Sequence, residues 1–382
     1  MNCELIQILL FSGVFFIALV LISPCKKIFQ IAEIEGSRLS YLDGLRGIAA
    51  LLVVACHINQ HLLSFFKITQ PPIIANNFGI VGVELFFALT AFLFTTRALK
   101  GNFNPAVFYL SRVKRIAPLY IFVASVSLAI IFLLPQVSIA SWQNAVVDVI
   151  SMVSFGFIGA DSLIIEGFNA FAFIGIAWSL SYEWKFYLIL PPLYYLFSHS
   201  RKASIAVIVL LLAIAFKDFY QNPHHTCIWS YFLVGVFAAL LFPFIKNFKN
   251  TFKPFLAIII LLSIISAAFF PAFSLPQLVL IQISFLAILL CQPKILGSKP
   301  LVNLGQISYS IYLMQYLVMM PIIKTAKNLD IFSATAEMKF IFAFLIVVCL
   351  IPASCFTYQF IEQRWIKKEK ELPASTMVAE GT

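Results

Sequence analysis

Long apolar runs alternate with short polar connections from one end of the chain to the other. They fall at 41–65, 78–96, 118–135, 178–197, 203–217, 227–245, 254–270, 277–291, 304–322 and 337–356. Continuous runs of this length, without the alternation of a half-buried strand, predict helices long enough to cross a hydrocarbon layer about 30 Å thick. A further run at 5–22 is preceded by Glu4 and followed by Lys26 and Lys27. A cleaved signal peptide has the opposite charge order, so this run predicts an extra N-terminal span with its N-terminus outside. The expected fold class is therefore all-α and polytopic, with a ten-helix membrane core and one extra N-terminal helix. Residues 1–37 hold that helix and its link, 38–366 the membrane domain, and 367–382 a disordered cytoplasmic tail.

Segment 142–160 is ambiguous, being apolar but interrupted by Asp148 and two glycines. Charge distribution argues for keeping it outside. With that parity, only Lys67, Lys217, Lys324, Lys327 and Lys339 among the basic connections face the exterior, as the positive-inside tendency requires. The C-terminus then lies in the cytoplasm, and Asp148, Asp161 and Glu166 suit an exterior lid or interfacial helix. Composition agrees with a membrane protein: the chain is 62% hydrophobic and 11% charged. Its net charge of +10 is spread over short connections, with no basic module that would suit nucleic acid. The seven cysteines include no CxxC pair, so neither a disulfide framework nor a metal site is implied.

A few polar residues interrupt the apolar runs, and these are the candidates for chemistry. Arg46 and His57 lie on one predicted helix, eleven residues apart. That spacing returns to nearly the same face about 16 Å further along the axis. His57 is either a hydrogen-bonded packing residue or a general base, because neutral imidazole accepts a proton near neutral pH. Arg46 is either a headgroup contact or a clamp for a phosphorylated donor. Glu84 lies near the outer end of the next span, in a structural or an active-site role. Arg112 and Arg115 are three apart and share a helix face, as a basic anchor or a phosphate site, and Arg97 and Lys114 add to the same positive surface. Glu183 falls near the outer end of its own span and would orient the His57 imidazole if the two helices touch. His224 and His225 are adjacent in a loop, a poor spacing for a metal.

Several of these stretches together resemble the membrane-bound acyltransferase 3 family of bacterial O-acyltransferases and sugar O-acetyltransferases. YLDGLRGIAALLVVACH is similar to the family's opening signature, with Arg46 and His57 at its ends. GVELFFALTAFLF, SRVKRIAPLY, WSLSYEWKFY and the closing pair LGQISYSIYLMQYLV and FIEQRW follow in order. The resemblance covers about residues 38–366 and implies a ten-helix domain of a bacterial inner membrane. It implies transfer of an acyl group, commonly acetyl from acetyl-CoA or another acyl-CoA, to a hydroxyl on an envelope or exported glycan. It further implies His57 as base, Arg46, Arg112 and Arg115 as donor contacts, and Glu84 and Glu183 as supports of the site. The expected partners are acyl-CoA, a glycan or other hydroxyl-bearing acceptor, and the bilayer, with no nucleic acid, no metal and no tightly bound cofactor. The sequence departs from the pattern twice: Thr90-Ala91 stands for a serine-glycine pair, and Gln315 for a late histidine. The latter change removes a titratable group. The alternative function class is a secondary transporter or glycan exporter, which the same intramembrane charges suit but which the lack of an internal repeat disfavours.

Overall fold

A computed structural model describes residues 3–33, 39–66, 73–100, 103–133, 142–155, 164–165, 168–169, 177–221, 227–245, 252–331 and 335–370. Asp161, Glu166, His224 and His225 lie outside the described residues; of the tail expected to be disordered from 367, residues 367–370 belong instead to a helix, Gln363–Lys370, and the rest from 371 lies outside the described residues.

The first four helices are α1 (Cys3–Ile28), α2 (Ser40–Phe65), α3 (Ile73–Leu99) and α4 (Pro105–Leu133), each 26 to 29 residues long. At 1.5 Å per residue such helices measure about 40 Å, more than the apolar layer. After them comes the short α5 (Trp142–Val153), and then two-residue strands β1 (Ile164–Ile165) and β2 (Phe168–Asn169), paired antiparallel with Ile165 opposite Phe168. The remaining helices are α6 (Ala177–His199), α7 (Arg201–Gln221), α8 (Tyr231–Ile245), α9 (Lys253–Ala267), α10 (Leu275–Cys291), α11 (Lys299–Gln306), α12 (Ser308–Asn328), α13 (Ala336–Thr357) and α14 (Gln363–Lys370). The protein is an all-α, multi-pass membrane protein.

Among the described residues, six helical segments are long and apolar enough to cross a membrane: α1, α2, α3, α4, the segment Ile228–Ile245 that contains α8, and Ala336–Ile366, which contains α13. The expected spans at 178–197, 203–217 and 304–322 are also helical, as α6, α7 and α12. Of these, α6 and α12 are less apolar because they carry Glu183 and Lys185, and Ser308, Ser310 and Gln315, respectively. With 12 residues, α5 extends about 18 Å and is too short to cross by itself.

The helix at the centre is α2. In α2 and α3 72% of the apolar window is buried, against 28% in α1. Around α2 pack α3, α11, α12, α1 and α13. Its N-terminal end approaches α11 and the turn that precedes it at backbone distance. A Cβ on Gly44 would sit 1.7 Å from the Leu296 carbonyl oxygen, and one on Gly305 would sit 1.8 Å from that of Asp43. Only glycine fits at either position, and the contact sets where Arg46 begins its path along the helix. Lys26 of α1 reinforces the same corner. Its buried ammonium donates to Asn303 Oδ1 at 2.8 Å and Gln306 Oε1 at 2.7 Å, and the Gln306 amide donates onward to the Ala32 carbonyl and the Tyr358 hydroxyl. After α13 the chain takes a π-helical turn, Tyr358–Glu362, which carries Glu362 to α4.

Candidate functional site: an arginine-lined cavity and a tethered histidine

Arg46 lies in the second turn of α2, Arg97 in the last turn of α3, and Arg112 and Arg115 early in α4. Antiparallel packing brings these three helix ends together. All four side chains line one cavity of about 450 Å³, which α6 and α12 close with Glu183, Tyr187 and Tyr312. The size suits a small-molecule site, and Phe86, Phe87 and Leu93 make its α3 wall apolar.

The four guanidinium groups are not equivalent. Arg115 pairs with Glu362 at 2.8 Å, and that fully buried carboxylate also accepts a hydrogen bond from the Ser310 hydroxyl. Arg46 lies 3.9 Å from Asp43, too far for a strong hydrogen-bonded pair. Arg112 stacks on Phe94 at 4.6 Å and lies beside the Tyr187 hydroxyl. Arg97 is exposed at the rim. Among the described residues, neither Arg97 nor Arg112 has a carboxylate partner within salt-bridge distance. The cavity thus keeps two guanidinium groups available to an anion.

Glu183 and Tyr187 are one turn apart on α6 and face each other, with the tyrosine hydroxyl donating to the carboxylate in a short bond. The Thr90 hydroxyl donates to the same carboxylate oxygen at 3.3 Å. On the cavity's α12 side, the Tyr312 hydroxyl and Ser179 Oγ are 2.7 Å apart.

His57 is not on the cavity wall. It is half-buried further along α2, with Nδ1 2.9 Å from Gln315 Oε1 and its ring against Tyr316, centroids 4.9 Å apart. The partner expected from sequence was Glu183, but that carboxylate is engaged by Thr90 and Tyr187, and the imidazole is held by Gln315 instead. Glu84 also lies off the wall, fully buried beside the Tyr231 hydroxyl and the Phe273 amide. Those donors serve the Ser274 carbonyl at 3.0 Å and Gln277 Oε1 at 2.6 Å, so neither carboxyl oxygen of Glu84 meets hydrogen-bond geometry. The structure therefore brings Arg46, Arg112, Arg115 and Glu183 into one cavity and leaves His57 and Glu84 outside its wall.

Three functional contacts escaped sequence reasoning. Tyr187 had a visible signal, its i, i+4 spacing from Glu183. Gln315 stands where the resemblance has a late histidine and Glu362 lies in the closing FIEQRW stretch, but nothing local showed their partners, which lie far away in the chain.

A family model described as an acyltransferase domain matches residues 39–358. Among curated proteins, the chain is 32% identical over 163 residues to Acyltransferase MdmB of Streptomyces mycarofaciens, covering 41% of this chain and 39% of that one. It is 24% identical over 316 residues to Putative peptidoglycan O-acetyltransferase YrhL of Bacillus subtilis, covering 72% of this chain and 48% of that one. In both cases the match spans less than half of the relative's length. No solved structure matches.

Proposed function

This chain belongs to the acyltransferase-domain family, and from that premise we propose that it transfers an acyl group, most simply acetyl from acetyl-CoA, to a hydroxyl of an envelope or exported glycan. The observation that carries the reading is the cavity on which Arg46, Arg97, Arg112 and Arg115 converge, with Arg97 and Arg112 free of carboxylate partners among the described residues. Acyl-CoA is rich in phosphate, and guanidinium groups bind phosphate through forked, charge-assisted hydrogen bonds. The relatives' names, an acyltransferase and a peptidoglycan O-acetyltransferase, support the same reaction class.

In this reading the donor enters from the cytoplasm, where the arginine ends of α2, α3 and α4 meet, and the acceptor comes from the exterior. His57 takes the hydroxyl proton as the oxygen attacks the thioester carbonyl. The C–S bond then breaks, and the imidazolium returns the proton to the leaving sulfur. Arg46, Arg97 and Arg112 hold the donor, while Arg115 is shared with Glu362. Glu183 positions the cavity wall through Thr90 and Tyr187, and Glu84 supports the packing of α3. The assembly is a ten-helix core with α1 as an addition, in a bacterial inner membrane, with the N-terminus outside and the C-terminus in the cytoplasm. The basic connections at the arginine end support that orientation.

The test is transfer from labelled acetyl-CoA to N-acetylated glycan oligosaccharides by purified protein in liposomes. His57→Ala should lower the rate by about 10²- to 10⁴-fold, the usual contribution of a general base. A variant that works at the wild-type rate removes His57 from the mechanism. Absence of transfer from any acyl-CoA, together with counterflow of an unmodified solute, would favour transport instead.

A further inference from the structure

Resting on the reading of His57 as the base, we infer that Gln315 is the positioning residue that decides which imidazole nitrogen carries the proton. Gln315 is 1% exposed, and its amide is held at both ends. One end lies 2.9 Å from the Tyr312 carbonyl, which accepts and cannot donate. That end must be the NH₂ group, which turns the amide oxygen toward the imidazole. The oxygen is 2.9 Å from His57 Nδ1. An amide oxygen only accepts, so Nδ1 carries the hydrogen and the neutral ring keeps a bare lone pair on Nε2.

Tyr316 lies against the ring and holds a second side of it. Among the described residues, Nε2 has no hydrogen-bond partner. The titratable neighbours of the ring are Tyr316 on α12 and His61 one turn along α2. The imidazole is thus fixed by one edge and by Tyr316, with its basic nitrogen unoccupied.

The proton account follows from this tautomer. The acceptor O–H bond breaks and its hydrogen moves to Nε2 while the oxygen bonds to the thioester carbon. The resulting imidazolium keeps its Nδ1–H bond to Gln315, and Nε2–H later protonates the departing sulfur. With the other tautomer Nε2 would already carry a hydrogen, and the base would face Gln315 instead of the substrate. The Tyr312 hydroxyl meets Ser179 on the donor cavity, and the Tyr312 carbonyl holds the Gln315 amide. One turn of α12 therefore links the arginine cavity to the base.

The tautomer is directly measurable. Full-length protein labelled with [¹⁵N]histidine in lipid bilayers is examined at about pH 8, above the ordinary imidazole pKa of about 6.5. The His57 resonances are identified by their loss in His57→Ala. Wild type should show nitrogen shifts of the Nδ1–H form. Gln315→Leu should move the ring toward the Nε2–H form and lower kcat by about tenfold or more, part of the about 10²- to 10⁴-fold that a general base contributes, with KM for acetyl-CoA unchanged. Gln315→Glu should keep the Nδ1–H form. It should also move the acid limb of the rate profile to higher pH, because a carboxylate beside Nδ1–H favours the imidazolium.

A wild-type ring in the Nε2–H form, or a Gln315→Leu ring unchanged from wild type, overturns the inference; if Gln315→Leu does not fold, the wild-type spectrum still decides. Full transfer activity in His57→Ala would instead overturn the base reading, and leave the tautomer result standing.

Discussion

The ion pair between Arg115 and Glu362 makes the most exacting prediction, because it joins stability to donor binding. At 2.8 Å and an effective dielectric constant of about 20, the gross attraction is about 6 kcal/mol. Much of this offsets the desolvation of Glu362, whose side chain is 0% exposed, while Arg115 at 25% keeps some solvent. Breaking a buried pair by removing one partner typically costs about 3–5 kcal/mol. Glu362→Gln retains an acceptor for the Ser310 hydroxyl and for the guanidinium, so the expected loss is at the low end, about 3 kcal/mol. The same change leaves Arg115 without its counter-charge on the cavity wall, and CoA should bind a few-fold more tightly. The double variant Glu362→Gln/Arg115→Met should lose less than the sum of the two single losses, since it buries no uncompensated charge. The assay is thermal unfolding of the detergent-solubilised protein for wild type, both single variants and the double variant, with CoA binding measured on each by calorimetry. Strict additivity within about 0.5 kcal/mol, the behaviour of independent sites, would refute the pairing as an energetic unit. Weaker CoA binding in Glu362→Gln would refute the idea that Glu362 restrains Arg115.

Three further outcomes follow from the same geometry. Arg97→Ala and Arg112→Ala should each raise KM for acetyl-CoA by about tenfold, a loss of about 1.4 kcal/mol, with a smaller effect at high ionic strength for the exposed Arg97; steady-state kinetics over a salt series checks this. Gly44→Ala places a methyl group 1.7 Å from the Leu296 carbonyl oxygen, so α2 and the turn that precedes α11 must separate. Its folded yield in membranes should fall sharply, whereas Gly297→Ala, whose Cβ would meet nothing closer than 3.4 Å, serves as the comparison. Lys26→Ala leaves Asn303 and Gln306 without their buried donor at about 1–3 kcal/mol for such a loss, and α1 should become the first helix released in limited proteolysis.

Hydropathy, helical period and charge asymmetry are properties of neighbouring residues, so the helices, the membrane setting and the candidate polar positions were legible along the chain. The shared face of Arg112 and Arg115 needed nothing beyond 3.6 residues per turn. Depth was harder to read. Glu183 appeared to sit beside His57 when each was measured from its own helix end, yet it bonds Thr90 and Tyr187 on the arginine cavity. Helical rise gives position along an axis; it does not say which helices touch, or with what tilt and offset. The partners that give the site its chemistry come from such contacts. Gln315 is 258 residues from His57, and Asn303 is 277 residues from Lys26. No local pattern carries those pairings, because in a membrane any buried polar group needs a partner and the sequence contains many. Packing of α12 on α2 selected Gln315, and the π-helical turn after α13 delivered Glu362 to Arg115. The residue types capable of acyl transfer were present in the order of the chain, while the distinction between committed and available arginines arose only when the helices came together.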